Sequence, residues 1–180
     1  VIAGIELGGT KSIAVLSRRG TIVDRLQVPT LLPEATLAAL VDRVAAWHAA
    51  APVDAIGIAS FGPLALDPAA PAFGHITVTT KPDWSHTDVR GAFAQAVAVP
   101  TGFDTDVAGA ALAEGQWGAA RGCRDHVYLT IGTGVGAGIV AGGGSSTAPA
   151  IPSSAMSASG ASRATPSPGR ARSTATASKD

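Results

Sequence analysis

This chain is short of cysteine, of net charge and of long apolar runs. Its one cysteine, Cys123, rules out an internal disulfide and suits a reducing compartment. Thirteen basic residues balance thirteen acidic ones, which gives no pull toward nucleic acid or a membrane surface. No apolar run approaches the roughly 18 residues needed to cross a bilayer, and no basic-then-apolar signal segment is seen. A cytoplasmic protein with neither a nucleic-acid nor a membrane partner is expected. There is no internal repeat.

The last stretch lacks still more. From Gly143 to Asp180, 31 of 38 residues are Gly, Ala, Ser, Thr or Pro. It has no aromatic residue, and only Ile151 and Met156 are large and apolar. Such a segment buries too little to offset its ordering entropy, and taken alone it is expected to be disordered. The reading therefore divides the chain into a folded unit, 1–142, and a low-complexity tail, 143–180.

The folded part carries clear periodicities. Val1–Leu7 is apolar and breaks at Gly8-Gly9. Ser12–Leu16 and Thr21–Val28 are β-branched runs separated by Arg18-Arg19-Gly20, so three strands form an antiparallel meander. In Pro33–Ala50, Leu37, Leu40, Val41, Val44 and Trp47 fall at helical spacing between Pro33 and Pro52. Asp54–Ser60 reads as a buried strand ending at Phe61-Gly62-Pro63.

Ala65–Asp83 is irregular, with one candidate strand at Ile76–Thr80. A short helix at Asp88–Val97 and a strand at Pro100–Phe103 follow. A helix over Asp106–Arg121, closed by Gly122, and strands from His126 to Ile131 and onward to Val140 complete the order. Three hairpinned strands, then helix, strand, helix, strand, resemble the ribonuclease-H-like domain shared by actin and hexose kinases. The expected class is α/β.

Three segments could carry chemistry. Gly8-Gly9-Thr10-Lys11 lies between two strands, where glycines let the backbone approach a phosphate and Lys11 adds charge. Alone, it reads first as an ordinary hairpin turn. Gly132-Thr133-Gly134, continuing through Gly136 and Gly138, is a second glycine loop between strands, and alone it is equally a turn. Two such loops at matching strand ends of this fold favour a nucleotide cleft.

The third segment is Asp104-Thr105-Asp106, a carboxylate pair at a helix start. Asp106 could be a base for phosphoryl transfer. Either aspartate could instead cap the helix. Of the remaining polar residues, His48 and His126 read as structural. His75 and His86, beside Lys81, Asp83 and Trp84, read equally as near a sugar or as a solvated loop. Trp47 and Trp117 read as core, and Cys123 is assigned no role.

Glu6-Leu7-Gly8-Gly9-Thr10-Lys11, Ile56–Leu64, Thr79-Thr80-Lys81-Pro82-Asp83-Trp84 and Gly102–Gly118 are together similar, in order and spacing, to ROK-family fructokinases. The resemblance runs from about Ile2 to Gly143. It implies ATP- and magnesium-dependent phosphorylation of a hexose, usually fructose at its 6-hydroxyl, by a homodimer. By position Asp106 matches the family's general base, Gly8–Lys11 its first phosphate loop and Gly132-Thr133-Gly134 its second. Gly62, Thr105 and Asp106 are the expected sugar contacts. Ala108 stands where the family usually has Asn, so even the preserved half could be impaired.

The family continues with a His-Pro-Glu-x-Gly-His sugar motif and a Cys/His cluster that holds zinc, and neither is written here. No metal ligand is therefore assigned. Reading each codon from Gly144 onward as the last base of the preceding codon plus its own first two bases changes this. Ile151 through Met156 can then spell His-Pro-Glu-Leu-Gly-His, and Ala171 through Asp180 can spell Cys-Pro-Phe-His-Gly-Asp-Cys-Leu-Glu-Gly. Both motifs emerge in one frame and in family order. The expectation is one base lost near the Gly142-Gly143-Gly144 codons, leaving an inactive and poorly soluble fragment. Two other readings stay open: a non-catalytic nucleotide-binding remnant, and a sugar-responsive regulator of the same family. Such regulators carry a DNA-binding helix pair ahead of the phosphate loop, which begins here at Glu6.

Overall fold

The computed structural model describes residues 1–131, 135–142 and 144–147. The first three strands are β1 (Ile2–Leu7), β2 (Lys11–Arg18) and β3 (Thr21–Pro29), paired antiparallel as a meander. Helix α1 (Pro33–Ala50) and strand β4 (Ala55–Ser60) follow, with β4 parallel to β1. Helix α2 (Val89–Ala96) leads to β5 (Thr101–Thr105), parallel to β4. The sheet order is β3-β2-β1-β4-β5. Helix α3 (Asp106–Gln116) then joins a second, antiparallel sheet of β6 (His126–Ile131), β7 (Val135–Ala141) and β8 (Gly144–Thr147).

Alternation along the strands sorts the first sheet into two unlike faces. Ala3, Ile5 and Leu7 of β1, Ala14 and Leu16 of β2, and Ile56 and Ile58 of β4 are buried beneath Leu37, Leu40, Val44 and Trp47 of α1. Val89 and Phe93 of α2 join that core, with Val53, Ile76, Trp84 and Val97. The opposite face is lean. Gly4, Gly57 and Gly102 stand in one row across β1, β4 and β5.

Helix α1 has the bounds that its periodicity and its Pro33 start predict. Trp47 is buried there and donates its indole N–H to Asp24 of β3 at 2.8 Å. His48 is structural, its Nδ1 accepting the Val53 N–H past the helix end.

Four expectations need correction. The Ile76–Thr80 strand reduces to isolated bridges, Leu64 to Ile76 and His75 to Asp88, because the chain bends at Val78 and again at Thr80 and pairs with no described strand there. Helix α3 stops at Gln116 rather than Arg121, with turns filling Gly118–Gly122. Trp117, just past that end, is 70% exposed and not core. Gly144–Thr147, within the stretch read as tail, pairs with β7 as a third strand. The rest of that stretch, Gly143 and 148–180, lies outside the described residues.

Candidate functional site

Three loops meet at one edge of the large sheet because three parallel strands end level. Leu7 of β1 pairs with Ser60 of β4, and Ser60 pairs with Thr105 of β5. The Gly8–Lys11 turn, Phe61-Gly62 and Asp106 therefore leave the sheet side by side. The carboxyl edge of parallel strands is where open α/β sheets form ligand crevices.

The first loop is a tight one. Gly8 N–H donates to the Lys11 carbonyl at 3.1 Å, and a Cβ on Gly8 would sit 2.7 Å from that oxygen. A side chain there would break the turn. Around Gly9 there is open space, so a ligand can approach its backbone. At the second loop end Gly62 packs near Leu64, with the Leu64 nitrogen 3.2 Å from an added Cβ.

At the third, the capping question has a definite answer. The N-cap of α3 is Thr105, whose hydroxyl accepts the Ala108 N–H at 3.2 Å. Asp104 Oδ1 accepts the Thr105 N–H at 2.7 Å. Asp106 is the first helical residue, and its Oδ1 accepts the adjacent Val107 N–H at 2.9 Å. Burial pushes its carboxyl above the ordinary value. The Val107 N–H pulls the other way, and the negative charge of Glu6 adds to the rise. A half-buried carboxylate with a raised pKa beside a glycine loop can take up a proton.

Glu6 and Asp104 share a row across Ala59, on the lean face of the sheet. That face opens as a cleft of about 760 Å³, lined by the three glycines of the row, by Glu6 and Asp104, and by Asp106. Ala108 is buried within the packing of α3. His75 and His86 do not line this cleft; His75 Nδ1 lies 3.8 Å from Asp88 instead. His126 bonds the Ala111 carbonyl of α3 through Nε2, a structural role. Gly132, Thr133 and Gly134 lie outside the described residues, between Ile131 and Val135, which pair across β6 and β7. Among the described residues no group of three or more His, Cys, Asp or Glu is placed to hold a metal, so the zinc of the resemblance finds no ligand set there.

Two residues at this edge were not assigned to the first loop by the sequence, Thr30 having no signal and Lys81 standing only in the Thr79–Trp84 stretch. Thr30, just beyond β3, and Lys81, in the irregular segment, both bond the Gly8–Thr10 backbone. Neither lies in a glycine loop or at a helix start, and only the folded chain brings them there.

The sequence profile of the ROK family matches residues 2–148. The chain belongs to the ROK family. The fructokinase of Zymomonas mobilis is 47% identical to this ROK chain over 141 residues, covering 76% of it and 46% of that enzyme. The fructokinase of Pediococcus pentosaceus is 40% identical over 141 residues, covering 78% and 48%. Among solved structures, a ROK-family glucokinase from Streptomyces griseus, in complex with glucose and AMPPNP, superposes with a TM-score of 0.67 at 27% identity. It covers 84% of this chain and 48% of that one. The fold is thus that of the ROK sugar kinases, an α/β architecture of the actin-like ATPase kind. The chain spans about half the length of the curated relatives it matches. No helix among the described residues is long and apolar enough to cross a membrane.

Proposed function

We propose that this ROK chain is the first half of an ATP-dependent hexose kinase whose acceptor is D-fructose, converted to fructose 6-phosphate. The observation that carries the reading is the level ending of β1, β4 and β5. It sets an open glycine turn beside an aspartate whose helix cap has been taken over by Thr105. Fructose is favoured over glucose by the fructokinases at 47% and 40% identity. ATP, arriving as its magnesium complex, supplies the phosphoryl group.

In this reading the Gly8–Lys11 loop, through the Gly9 and Thr10 N–H groups and the Lys11 charge, and Gly132-Thr133-Gly134 by position, hold the phosphates. Gly62 and Thr105 contact the sugar. The Asp106 carboxylate accepts the proton of the 6-hydroxyl as its oxygen bonds the γ-phosphorus. The bond from that phosphorus to the β,γ-bridging oxygen breaks, and ADP leaves. Alignment and charge do most of this work, and Asp106 supplies the base.

The 180-residue chain is expected to turn over no sugar, because phosphoryl transfer in closing kinases needs a second lobe to exclude water. The remainder is proposed to be encoded out of frame, from a base lost near the codons for Gly142 to Gly144. Resequencing the source DNA there tests this, and an unchanged read would defeat it. If the base is found, the restored protein should form ADP from ATP with fructose, and Asp106→Asn should lower kcat by about 100-fold or more. Turnover with glucose and none with fructose would overturn the choice of acceptor. The buried Ala108, where the family usually has Asn, favours one second reading, a non-catalytic nucleotide binder. A restored protein that binds ATP without turnover would support it.

A further inference from the structure

The carbonyl oxygens of Gly8, Gly9 and Thr10 are all held by donors from outside the loop. Gly8 O accepts the Thr30 hydroxyl at 2.8 Å, and Thr10 O accepts the Thr30 N–H at 2.8 Å. Gly9 O, between them, accepts the Lys81 ammonium at 2.7 Å. In a planar trans peptide the N–H points opposite to the carbonyl. Fixing the Gly8 and Gly9 carbonyls therefore fixes the N–H groups of Gly9 and Thr10, each turned away from its clamp. Those are the donors a phosphate would need.

The clamp is itself anchored. Thr30 is buried, and its hydroxyl, committed as donor to Gly8, takes a further bond from Ser12 at 2.7 Å. The Lys81 ammonium also reaches the Thr30 carbonyl at 3.3 Å. Three residues on, the buried Trp84 donates its indole N–H to the Leu31 carbonyl at 2.8 Å. Lys81 therefore comes from a segment pinned at the same corner, although it lies 72 positions from Gly9. A neutral donor would satisfy Gly9 O as well.

We infer that Thr30 and Lys81 are positioning residues of the first loop. They preset its backbone for the tail of an oligophosphate, holding the loop from the side opposite its N–H groups. The inference rests on the reading of Gly8–Lys11 as a phosphate loop, so the test separates the two. In the full 180-residue chain, amide exchange at Gly8 and Thr30, whose N–H groups bond the Lys11 and Thr10 carbonyls, reports the clamp, and titration with inorganic tripolyphosphate, against adenosine as control, reports phosphate binding.

Lys81→Met should speed exchange at Gly8 and Thr30, leave the middles of β1 and β2 protected, and weaken tripolyphosphate about 10-fold. Lys81→Arg, which can still donate to Gly9 O, should restore both readouts. Thr30→Ser should behave as the parent, and Thr30→Val as Lys81→Met. Unchanged exchange and unchanged affinity in Lys81→Met would overturn the clamp and leave the phosphate reading standing. Faster exchange in Lys81→Met, with tripolyphosphate bound by neither protein, would keep the clamp and remove the phosphate reading.

Discussion

Asp24 and Asp106 show how one residue type takes opposite roles from its surroundings. The Trp47 indole N–H, then the Arg25 N–H and the Arg43 charge, hold the Asp24 carboxyl below its ordinary value. Its ionised form is favoured by the fold, so that contribution is present above the unfolded pKa and fades as pH falls through the folded one. Asp106 has the reverse sign. Burial raises its pKa, so the fold is most favoured with the acid protonated, and this is lost as pH rises through the folded pKa. Asp106→Asn should therefore raise the melting temperature at pH 7. The gain should shrink toward about pH 4, near the unfolded carboxyl value. Melting curves by circular dichroism across that range check it, and a lower melting temperature for the variant at pH 7 would refute it. The sequence pointed to Asp106 through its place before a helix, but not to who caps that helix. Thr105 wins because its side chain, at the N-cap itself, meets the Ala108 N–H. The contacts of Thr30 and Lys81 with the first loop were illegible for a different reason, although Lys81 stood in a stretch the sequence singled out. Their bonds to Gly8 and Gly9 span 22 and 72 positions, a distance no local pattern encodes.

Helix α3 sets where Asp106 sits, and glycines set where α3 sits. On one side Gly109 meets β4 so closely that an added Cβ would lie 2.8 Å from that of Ala59. On the other, a Cβ on Gly138 of β7 would lie 2.0 Å from the Val107 carbonyl oxygen. The helix is wedged between both sheets with its first turn at the cleft. Gly138→Ala should destabilise the chain by about 1–3 kcal/mol, the usual cost of overpacking. Gly57→Ala, which meets open space, should change stability by less than about 0.5 kcal/mol. Urea titration of the two variants tests the contrast, and equal midpoints would refute the wedge. At this scale the sequence was legible wherever one period ran long enough. The bounds of α1 follow from its leucine spacing and flanking prolines, and those of β6 from its apolar run. β8 was not legible, because Gly144-Ser145-Ser146-Thr147 has no large apolar residue, and its pairing comes from the open edge of β7. Nor was the end of α3. Ala119, Ala120 and Arg121 are good helix formers, yet the Glu114 carboxylate accepts the Ala119 N–H and its carbonyl accepts the Gly118 and Ala120 N–H groups, turning the chain.

The molecule as a whole has more apolar surface than its described elements cover. One face of β6 is used, since His126 reaches the Ala111 carbonyl of α3. The other displays Val127, Leu129 and Ile131 at alternate positions, 57%, 59% and 80% exposed. Three large aliphatic side chains in a row on a strand invite pairing with another copy. The chain spans about half of its relatives' length, and in the proposed function the rest of the kinase would cover such a row. Replacing the three together, Val127→Thr, Leu129→Thr and Ile131→Thr, should raise the fraction that sediments as monomer. Threonine suits a strand, so the secondary structure should persist. The melting temperature should move little, because exposed side chains contribute little to the folded state. If the threonine variant and the parent associate equally, the row does not drive self-association, and the lean glycine face of the first sheet becomes the surface to alter. If the variant is monomeric and the parent is not, this strand face is the one left uncovered. In a protein restored to full length, the same three substitutions should then cost several kcal/mol, since large-to-small changes are expensive only where the side chains are buried.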